Sequence, residues 1–202
     1  MVFTAPKLML IRHAEKPIPA TTPNPAYNGI DIYGNPDKDS LIPQGWQRAG
    51  ALINLFTSAS GPLPVPQLLF APNQFGNGTS KRPYETITPL SQKLGIAINP
   101  PQAQYSKTDY VTMLTAATSS KGMVLIAWEH GEIPSLAAWI LQNTKTSVPK
   151  WPGTRFDIVW VFDLDAASGT YSFNQAPQLL LAGDQPTSIF ASEDAGKAAA
   201  GS

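Results

Sequence analysis

With 202 residues, 43% of them hydrophobic, the chain is long enough to bury one sizeable core, and we expect a single domain. Its 14 basic and 14 acidic residues give no net charge and form no basic stripe, so nucleic-acid binding has little support. It has no cysteine, which excludes disulfides and thiol chemistry, and no run of about 20 apolar residues that could span a membrane.

The two ends of the chain carry further expectations. The short apolar run near the amino terminus does not match a signal peptide, because it leads straight into Arg12 and His13, so we expect a cytoplasmic protein. The residues from Ala191 onward are small and polar. We therefore expect one domain over residues 1–190 and a disordered tail over 191–202.

The first predicted element is a buried strand, because Lys7-Leu-Met-Leu-Ile11 is a nearly continuous apolar run bounded by polar residues. The run breaks abruptly at Arg12 and His13. In open α/β sheets the ligand crevice lies outside the carboxyl ends of such strands. We therefore predict that Arg12 and His13 lie in an active site.

A long segment from Pro17 to Ser40 follows, with five prolines and no periodicity, so we expect irregular structure there. It contains several apolar residues, among them Ile32 and Tyr33, which are too many for a free linker. We expect the segment to fold over the site as a lid or wall. A surface excursion unrelated to function is the alternative.

A helix is predicted from Pro43 onward, because apolar side chains recur there at spacings of three and four. The inward-facing set is Trp46, Ala49, Leu52, Ile53 and Phe56. Arg48 lies off this stripe, so we expect it to be an exposed surface charge.

The rest of the chain alternates predicted strands and helices. The predicted strands cover 67–70, 96–98, 123–128, 156–162, 171–173 and 178–181. The predicted helices run from a cap at Thr79 or Ser80 to Gly95, from a cap at Thr108 or Asp109 to Ala117, and from Glu132 or Ile133 to Gln142. This alternation predicts an α/β fold, a three-layer α/β/α sandwich around a mostly parallel central sheet.

The chain has only two histidines, and both follow predicted core strands. His130 comes just after the strand at 123–128, as His13 follows the first strand. Either histidine alone could be a structural residue at a strand end, but the pair, with Arg12 adjoining, favours a functional site. Arg82 starts a helix after another buried strand and falls on the same rim of the sheet.

These groups concentrate positive charge in a neutral protein, and arginine side chains and helix N-termini both suit a phosphate. Lys16, Arg48 and Lys81 could extend the patch, although each is more often a solvated charge. A neutral imidazole can attack phosphorus to give a phosphohistidine, while a second, protonated one stabilises the oxygens. We expect no metal or cofactor; ligation of a metal by the two histidines is the weaker alternative, because an adjoining arginine opposes a cation.

Four segments carry a family resemblance. They read Leu10-Ile-Arg-His-Ala14, Leu41-Ile-Pro-Gln-Gly-Trp-Gln-Arg-Ala49, Arg82-Pro-Tyr-Glu-Thr86 and Val124-Leu-Ile-Ala-Trp-Glu-His-Gly131. In this order and at this spacing they resemble the motifs of the histidine phosphatase superfamily, whose fold is phosphoglycerate-mutase-like. Each motif alone is weak, but four in sequence make a strong case. The loop before Arg82 is longer than the usual one in that family.

The resemblance implies a metal-independent phosphomonoesterase that acts on a small phosphorylated substrate. It implies that His13 is the phosphorylated nucleophile and that Arg12, Arg82 and His130 complete the phosphate pocket. Lys16 is a further candidate for substrate binding. A phosphoglycerate-mutase-like phosphotransferase and a non-catalytic phosphate-binding module are the alternatives.

The proton donor stays open at this point. Members of the family often take the proton from a glutamate after the second arginine or from an aspartate directly after the second histidine, and Gly131 occupies the latter position here. Glu129 and Glu132 flank His130, and Asp109 is a third candidate. A leaving group that is already acidic would need no donor.

Overall fold

The computed structural model describes residues 3–18, 28–74, 80–99, 105–106, 109–142 and 144–189. The strands in this part of the chain are β1 (Lys7–Arg12), β2 (Leu68–Phe70), β3 (Val124–Trp128), β4 (Ile158–Asp165) and β5 (Thr170–Pro177). The helices are α1 (Pro43–Thr57), α2 (Arg82–Leu94), α3 (Tyr110–Thr118) and α4 (Ile133–Ile140). The tail expected over 191–202 lies outside the described residues.

The helix boundaries follow the local signals in most places. Pro43 occupies the first turn of α1, where its missing N–H costs no helical hydrogen bond. Helix α2 ends at Gly95, whose φ of 67° is the left-handed conformation that favours glycine. The cap expected at Thr79 or Ser80 is wrong, because Lys81 is the N-cap residue and no side chain caps the helix.

The five strands form one mixed sheet in the order β2-β3-β1-β4-β5. Strands β2, β3 and β1 are parallel, whereas β4 runs antiparallel to both β1 and β5. The prediction of a mostly parallel sheet is therefore wrong, since two of the four pairings are antiparallel. The α/β class itself is correct.

A tight turn explains why β4 and β5 are antiparallel. The side chain of Asp165 accepts hydrogen bonds from the backbone N–H of Ala167 and from the hydroxyl of Ser168, and Gly169 adopts a φ of 69°. Such a short connection permits only an antiparallel pair. Hydrophobic patterns locate strands, but they do not encode the direction in which a strand enters the sheet.

Two short predicted strands are absent from the described sheet. Residues 96–98 contribute only an isolated bridge between Ile98 and Leu69, and the side chain of Asn99 then bonds both backbone groups of Ala71. Residues 178–181 form no ladder, because the backbone N–H groups of Leu180 and Leu181 donate to the carboxylate of Asp184. Side chains thus replace the strand partners in both segments.

Helices cover both faces of the sheet. Leu8 and Leu10 of β1 belong to a core shared with α3 and α4, whereas Met9 and Ile11 belong to a core shared with α1 and α2. This alternation follows from the two-residue period of a strand, and burial of both faces explains why β3 and residues 8–11 of β1 are apolar. As a result, the first polar residues after β1 and β3 meet at one edge of the sheet.

The described part of the long loop, residues 28–40, lies beside the first turn of α2. The carbonyl of Lys38 accepts a hydrogen bond from Arg82 at 3.2 Å, so the loop forms a wall next to that residue. Ile32 and Tyr33 are exposed and do not pack on the site. Residues 19–27 of the expected lid lie outside the described part. No described helix is long and apolar enough to cross a membrane.

Candidate active site

His13 is fixed at the end of β1 in one tautomer. Its backbone N–H donates to the carbonyl of Trp128 at 3.0 Å, which extends the β1–β3 pairing by one residue. Its ring Nδ1 lies 2.7 Å from the carbonyl oxygen of Ala14. A carbonyl only accepts, so Nδ1 carries the proton and Nε2 keeps its lone pair.

The surroundings of His13 keep its ring neutral. Burial lowers the pKa of His13 well below its ordinary value of 6.5, and the nearby charges of Arg12, Arg82 and His130 lower it further. The hydrogen bond to Ala14 opposes this shift only in part. At neutral pH the side chain is therefore an uncharged imidazole with an available nitrogen, as a nucleophile requires.

Arg12 is buried with only part of its guanidinium bonded to protein. Its Nη1 donates to the carbonyls of Gly153 at 2.7 Å and Arg155 at 3.0 Å, and its Cζ lies 3.8 Å from the centre of the Phe156 ring. Its Nε and Nη2 are buried and have no hydrogen-bond partner among the described residues. Burial lowers the pKa of Arg12 to about 10, which still leaves it charged at neutral pH.

Arg82 presents a second incompletely bonded guanidinium. It is the first residue of α2, and its Nε is buried without a hydrogen-bond partner in the part of the chain that the structure describes. The hydroxyl of Thr86 bonds both the carbonyl of Arg82 and the backbone N–H of Ala14, so the start of α2 lies beside the end of β1. After burial, the charge of Arg82 is a further cause that lowers the pKa of Arg12 and His13. Buried donors are nearly always satisfied in folded proteins, so such donors on two neighbouring arginines indicate an anion site.

His130, Glu129 and Lys16 complete the cluster. A Cβ placed on Gly153 would lie 3.9 Å from Nε2 of His130, so this ring lies beside the carbonyl that binds Arg12. The charge of Glu129 raises the pKa of Arg12, against the larger effect of burial. Partial burial lowers the pKa of Lys16, and the charges of Arg12 and Arg82 lower it further.

The structure does not bring the other two acid candidates into contact with this cluster. Glu132 is the N-cap residue of α4, and within the described residues its carboxylate makes no hydrogen bond or ion pair to the site. Asp109 is exposed ahead of α3; burial raises the pKa of Tyr105, and the charge of Asp109 raises it further. In the described part of the chain, no group of three or more histidine, cysteine and carboxylate side chains is placed to hold a metal ion.

Thr86 supports the site in a way that the sequence did not reveal. Its hydroxyl accepts a hydrogen bond from the backbone N–H of Ala14 at 2.8 Å and donates to the carbonyl of Arg82 at 2.7 Å. This contact joins the residue after His13 to the helix that carries the second arginine. The four-residue spacing from Arg82 was a usable signal, because it places both residues on the same face of a helix.

Arg48 corrects a prediction from the sequence. It is 3% exposed rather than a surface charge, and its guanidinium bonds Glu15 and Asp184, each at 2.7 Å, and Gln178 at 3.1 Å. Burial alone would lower its pKa, but the hydrogen bonds that it donates to Asp184 and Glu15 raise it overall. Arg48 is thus neutralised by protein carboxylates and does not add free charge to the phosphate site.

Glu85 has a structural place rather than a catalytic one. The hydroxyl of Ser40 donates to one carboxylate oxygen at 2.6 Å, and the backbone N–H of Leu41 donates to the other at 2.9 Å. Burial raises its pKa, although these two hydrogen bonds lower it in part. Both oxygens are therefore committed to holding the end of the long loop against α2.

The chain was compared with family models, curated proteins and solved structures. No family model matches the chain, and no curated protein matches its sequence. Mycobacterial glucosyl-3-phosphoglycerate phosphatase in complex with inorganic phosphate superposes with a TM-score of 0.48 at 14% identity, over 84% of this chain and 96% of that one. An Entamoeba histolytica phosphoserine phosphatase variant with bound phosphoserine gives 0.46 at 9% identity, over 83% and 94%.

A candidate phosphohistidine phosphatase of Agrobacterium tumefaciens gives a TM-score of 0.42 at 14% identity, over 84% of this chain and 96% of that one. These structures belong to the histidine phosphatase superfamily, which is the family that the four sequence motifs resemble. At these identities and TM-scores the likeness carries no conclusion about this chain's chemistry.

Proposed function

We propose that the protein is a metal-independent phosphomonoesterase that acts through a phosphohistidine on His13. One observation carries the proposal. Buried N–H donors of Arg12 and Arg82, which have no hydrogen-bond acceptor among the described residues, lie near the neutral imidazole of His13. A phosphate monoester supplies what this arrangement lacks, namely acceptor oxygens for the arginines and an electrophile for Nε2.

The first half of the reaction transfers the phosphoryl group to the protein. Nε2 of His13 attacks phosphorus in line with the ester oxygen, the N–P bond forms, and the bond from phosphorus to the ester oxygen breaks. The leaving alcohol takes one proton. Arg12, Arg82 and a protonated His130 stabilise the charge on the three equatorial oxygens, which is the work that metal ions perform in other phosphotransferases.

The second half regenerates the free enzyme. A water molecule attacks phosphorus opposite Nε2, gives up a proton, and releases inorganic phosphate, so that the imidazole again carries a lone pair on Nε2. The hydrogen bond from Nδ1 to Ala14 holds the ring orientation through both halves. The same bond stabilises the positive charge that the ring carries while it is phosphorylated.

Glu129 is the best-placed candidate for the proton donor. It directly follows β3 and precedes His130, at the sheet edge where Arg12 and His13 lie, and its charge raises the pKa of Arg12 against the larger effect of burial. Glu132 and Asp109 show no comparable interaction with the cluster. We therefore assign to Glu129, entering the cycle with its carboxyl protonated, the transfer of that proton to the leaving oxygen, and to the resulting carboxylate its recovery from the attacking water.

The experiment is hydrolysis of p-nitrophenyl phosphate in the presence of EDTA, with the native protein and the His13→Ala variant. We expect turnover that survives chelation and a loss of about a thousandfold or more in the variant, because removing a nucleophile disables the whole constellation. Activity that chelation abolishes would contradict metal independence. Turnover unchanged in His13→Ala would contradict the assigned nucleophile.

A further inference from the structure

A second cavity of about 540 Å³ adjoins the phosphate site. Its lining comes from the residues just after His13, from the start of α1 and from the segments 153–157 and 182–185. Cavities of this size hold small organic molecules, and most of them combine apolar walls with a few polar groups. Nothing in the phosphate chemistry itself requires such a space.

Phe156 and Gly153 form the boundary between this cavity and the phosphate site. Both line the cavity. The Phe156 ring lies 3.8 Å from the guanidinium carbon of Arg12, and its centroid is 6.1 Å from that of His13. The Gly153 carbonyl bonds Arg12. A group esterified to a phosphate on Arg12 would therefore reach the cavity by passing across Phe156.

Most charged residues that line the cavity form ion pairs with one another. Arg48 is bonded by Glu15 and Asp184, and Arg155 bonds Asp157 at 2.7 Å. Lys16, three residues after His13, is the charged lining residue without an ion pair in the described part of the chain. An anionic substituent deep in the cavity would meet paired carboxylates rather than a free cation, so the cavity favours an uncharged group.

The remaining lining offers apolar contact and a few hydrogen bonds. Phe156 provides an aromatic surface, and Ile18 and Ile42 provide aliphatic ones. Gln44 and Gln185 line the same space, and their side-chain amides make no hydrogen bond to any described residue. This set matches a ring that has an apolar face and polar substituents on its rim, as a sugar or a nucleoside has.

We propose that this cavity binds the leaving group, and that the substrates are phosphomonoesters of uncharged, ring-bearing alcohols. The proposal rests on the phosphatase function proposed above, and it adds the class of alcohol. Lys16 lies where the ester enters the cavity, and Phe156 is the surface against which the ring packs.

The first test compares alkyl phosphates that differ in the alcohol. We would measure kcat/KM for adenosine 5′-monophosphate, glucose 6-phosphate and benzyl phosphate against ethyl phosphate and 3-phosphoglycerate. At least one ring ester should exceed both ring-free esters about tenfold or more, mainly through a lower KM, because the apolar face of the ring leaves water when it packs on Phe156. Equal or better turnover of ethyl phosphate or 3-phosphoglycerate would overturn the proposal.

A cavity-filling variant localises the effect. Ala182 lines the cavity and is exposed, so Ala182→Trp fills the space without disturbing the core. The ratio of kcat/KM for the best ring ester to that for ethyl phosphate should fall about tenfold. Val111→Trp is the matched control, because Val111 is exposed on α3 and takes no part in the cavity. A ratio that is the same in both variants would contradict the assigned cavity.

A binding measurement separates failure of this proposal from failure of the phosphatase function. Calorimetry with the His13→Ala variant requires no turnover. We expect the ring esters to bind it more tightly than ethyl phosphate, and the added Ala182→Trp change to remove that difference. Binding of ring esters by a protein without phosphatase activity would refute the catalytic function alone. Equal affinities would refute the leaving-group cavity alone.

Discussion

Two buried arginines, Arg48 and Arg12, show how differently one side chain is used in the same protein. They are 3% and 1% exposed. All three guanidinium nitrogens of Arg48 bond side chains, those of Glu15, Asp184 and Gln178. Arg12 bonds only carbonyls through Nη1, while its Nε and Nη2 have no partner among the described residues. Every guanidinium nitrogen of Arg48 therefore has a protein acceptor, whereas two nitrogens of Arg12 are available to a ligand.

The pKa shifts express the same contrast. Burial acts to lower both values, but Asp184 and Glu15 raise the pKa of Arg48 overall, whereas the pKa of Arg12 falls to about 10. A buried charge with its counter-charge in place contributes to the fold. A buried charge that shares its site with Arg82 is instead stabilised when an anion binds.

The largest expected effect is on stability, in Arg48→Met. The change leaves the carboxylates of Glu15 and Asp184 without their partner, and breaking such a buried pair costs about 3–5 kcal/mol. Urea unfolding measures the loss. Lys93→Met, at an exposed position in the last turn of α2, should change the unfolding free energy by about 0.5 kcal/mol or less. A loss of unfolding free energy below about 1 kcal/mol in Arg48→Met would contradict the structural role that we assign to Arg48 and not to Arg12.

The complementary change is Arg82→Met, which should reduce activity rather than stability. Removing one charged donor from the transition state lowers kcat by about 100- to 1,000-fold. Stability should hold or rise slightly, because the change takes a partly buried charge out of a cluster that already contains Arg12. Steady-state kinetics and urea unfolding of the same preparation measure the loss of kcat and the change in stability. A large loss of stability with normal turnover per folded molecule would reverse our assignment.

A smaller effect is expected at Thr86, whose hydroxyl connects the backbone of Ala14, after β1, to the first turn of α2. Thr86→Val leaves the backbone N–H of Ala14 buried without its acceptor, at a cost of about 1–3 kcal/mol. It should also lower kcat with little change in KM, because His13 loses its support. Thr88→Val is the matched control, since the Thr88 hydroxyl donates only to a carbonyl of its own helix, 2.9 Å away. Equal kcat values in the two variants would show that Thr86 does not position His13.

The smallest effect concerns protonation. With only two histidines, the imidazole nitrogens can be followed by nitrogen-15 NMR, and His130→Asn leaves the signal of His13 alone. We expect His13 to carry its proton on Nδ1 and to stay neutral as the pH falls through 6.5. Because the folded pKa of His13 is lowered, the unfolded chain binds the proton first, so this group contributes stability above pH 6.5 that is lost as the pH falls. Titration near 6.5 would contradict the neutral nucleophile.

Local signals were sufficient for the elements that carry the site. The apolar runs of β1 and β3 are long and end abruptly, so their ends, and with them His13 and His130, could be located from the sequence. Arg82 was found because it opens a helix that follows a core strand. Parallel strands in one sheet then bring these ends to one edge, which is why residues 117 positions apart form one cluster.

What the sequence did not reveal depends on distant partners. Arg48 was predicted to be exposed because its helix position is off the apolar stripe, but its carboxylates come from positions 33 and 136 residues away. Asp184 similarly provides the hydrogen bonds that a strand at 178–181 would have needed. Neither of these pairings produces a periodic pattern in the sequence. The contact between Phe156 and Arg12 produces none either.

The most direct test of the account is to identify the phosphorylated residue during turnover. The enzyme is mixed with a phosphorus-32-labelled monoester, quenched within one turnover in alkali, where phosphohistidine survives, and mapped by peptide analysis. We predict label on His13 alone, in amounts approaching one phosphate per enzyme, and none on His130. Label on another residue, or steady hydrolysis with no trapped phosphoenzyme at any quench time, would contradict the central claim that His13 is the nucleophile.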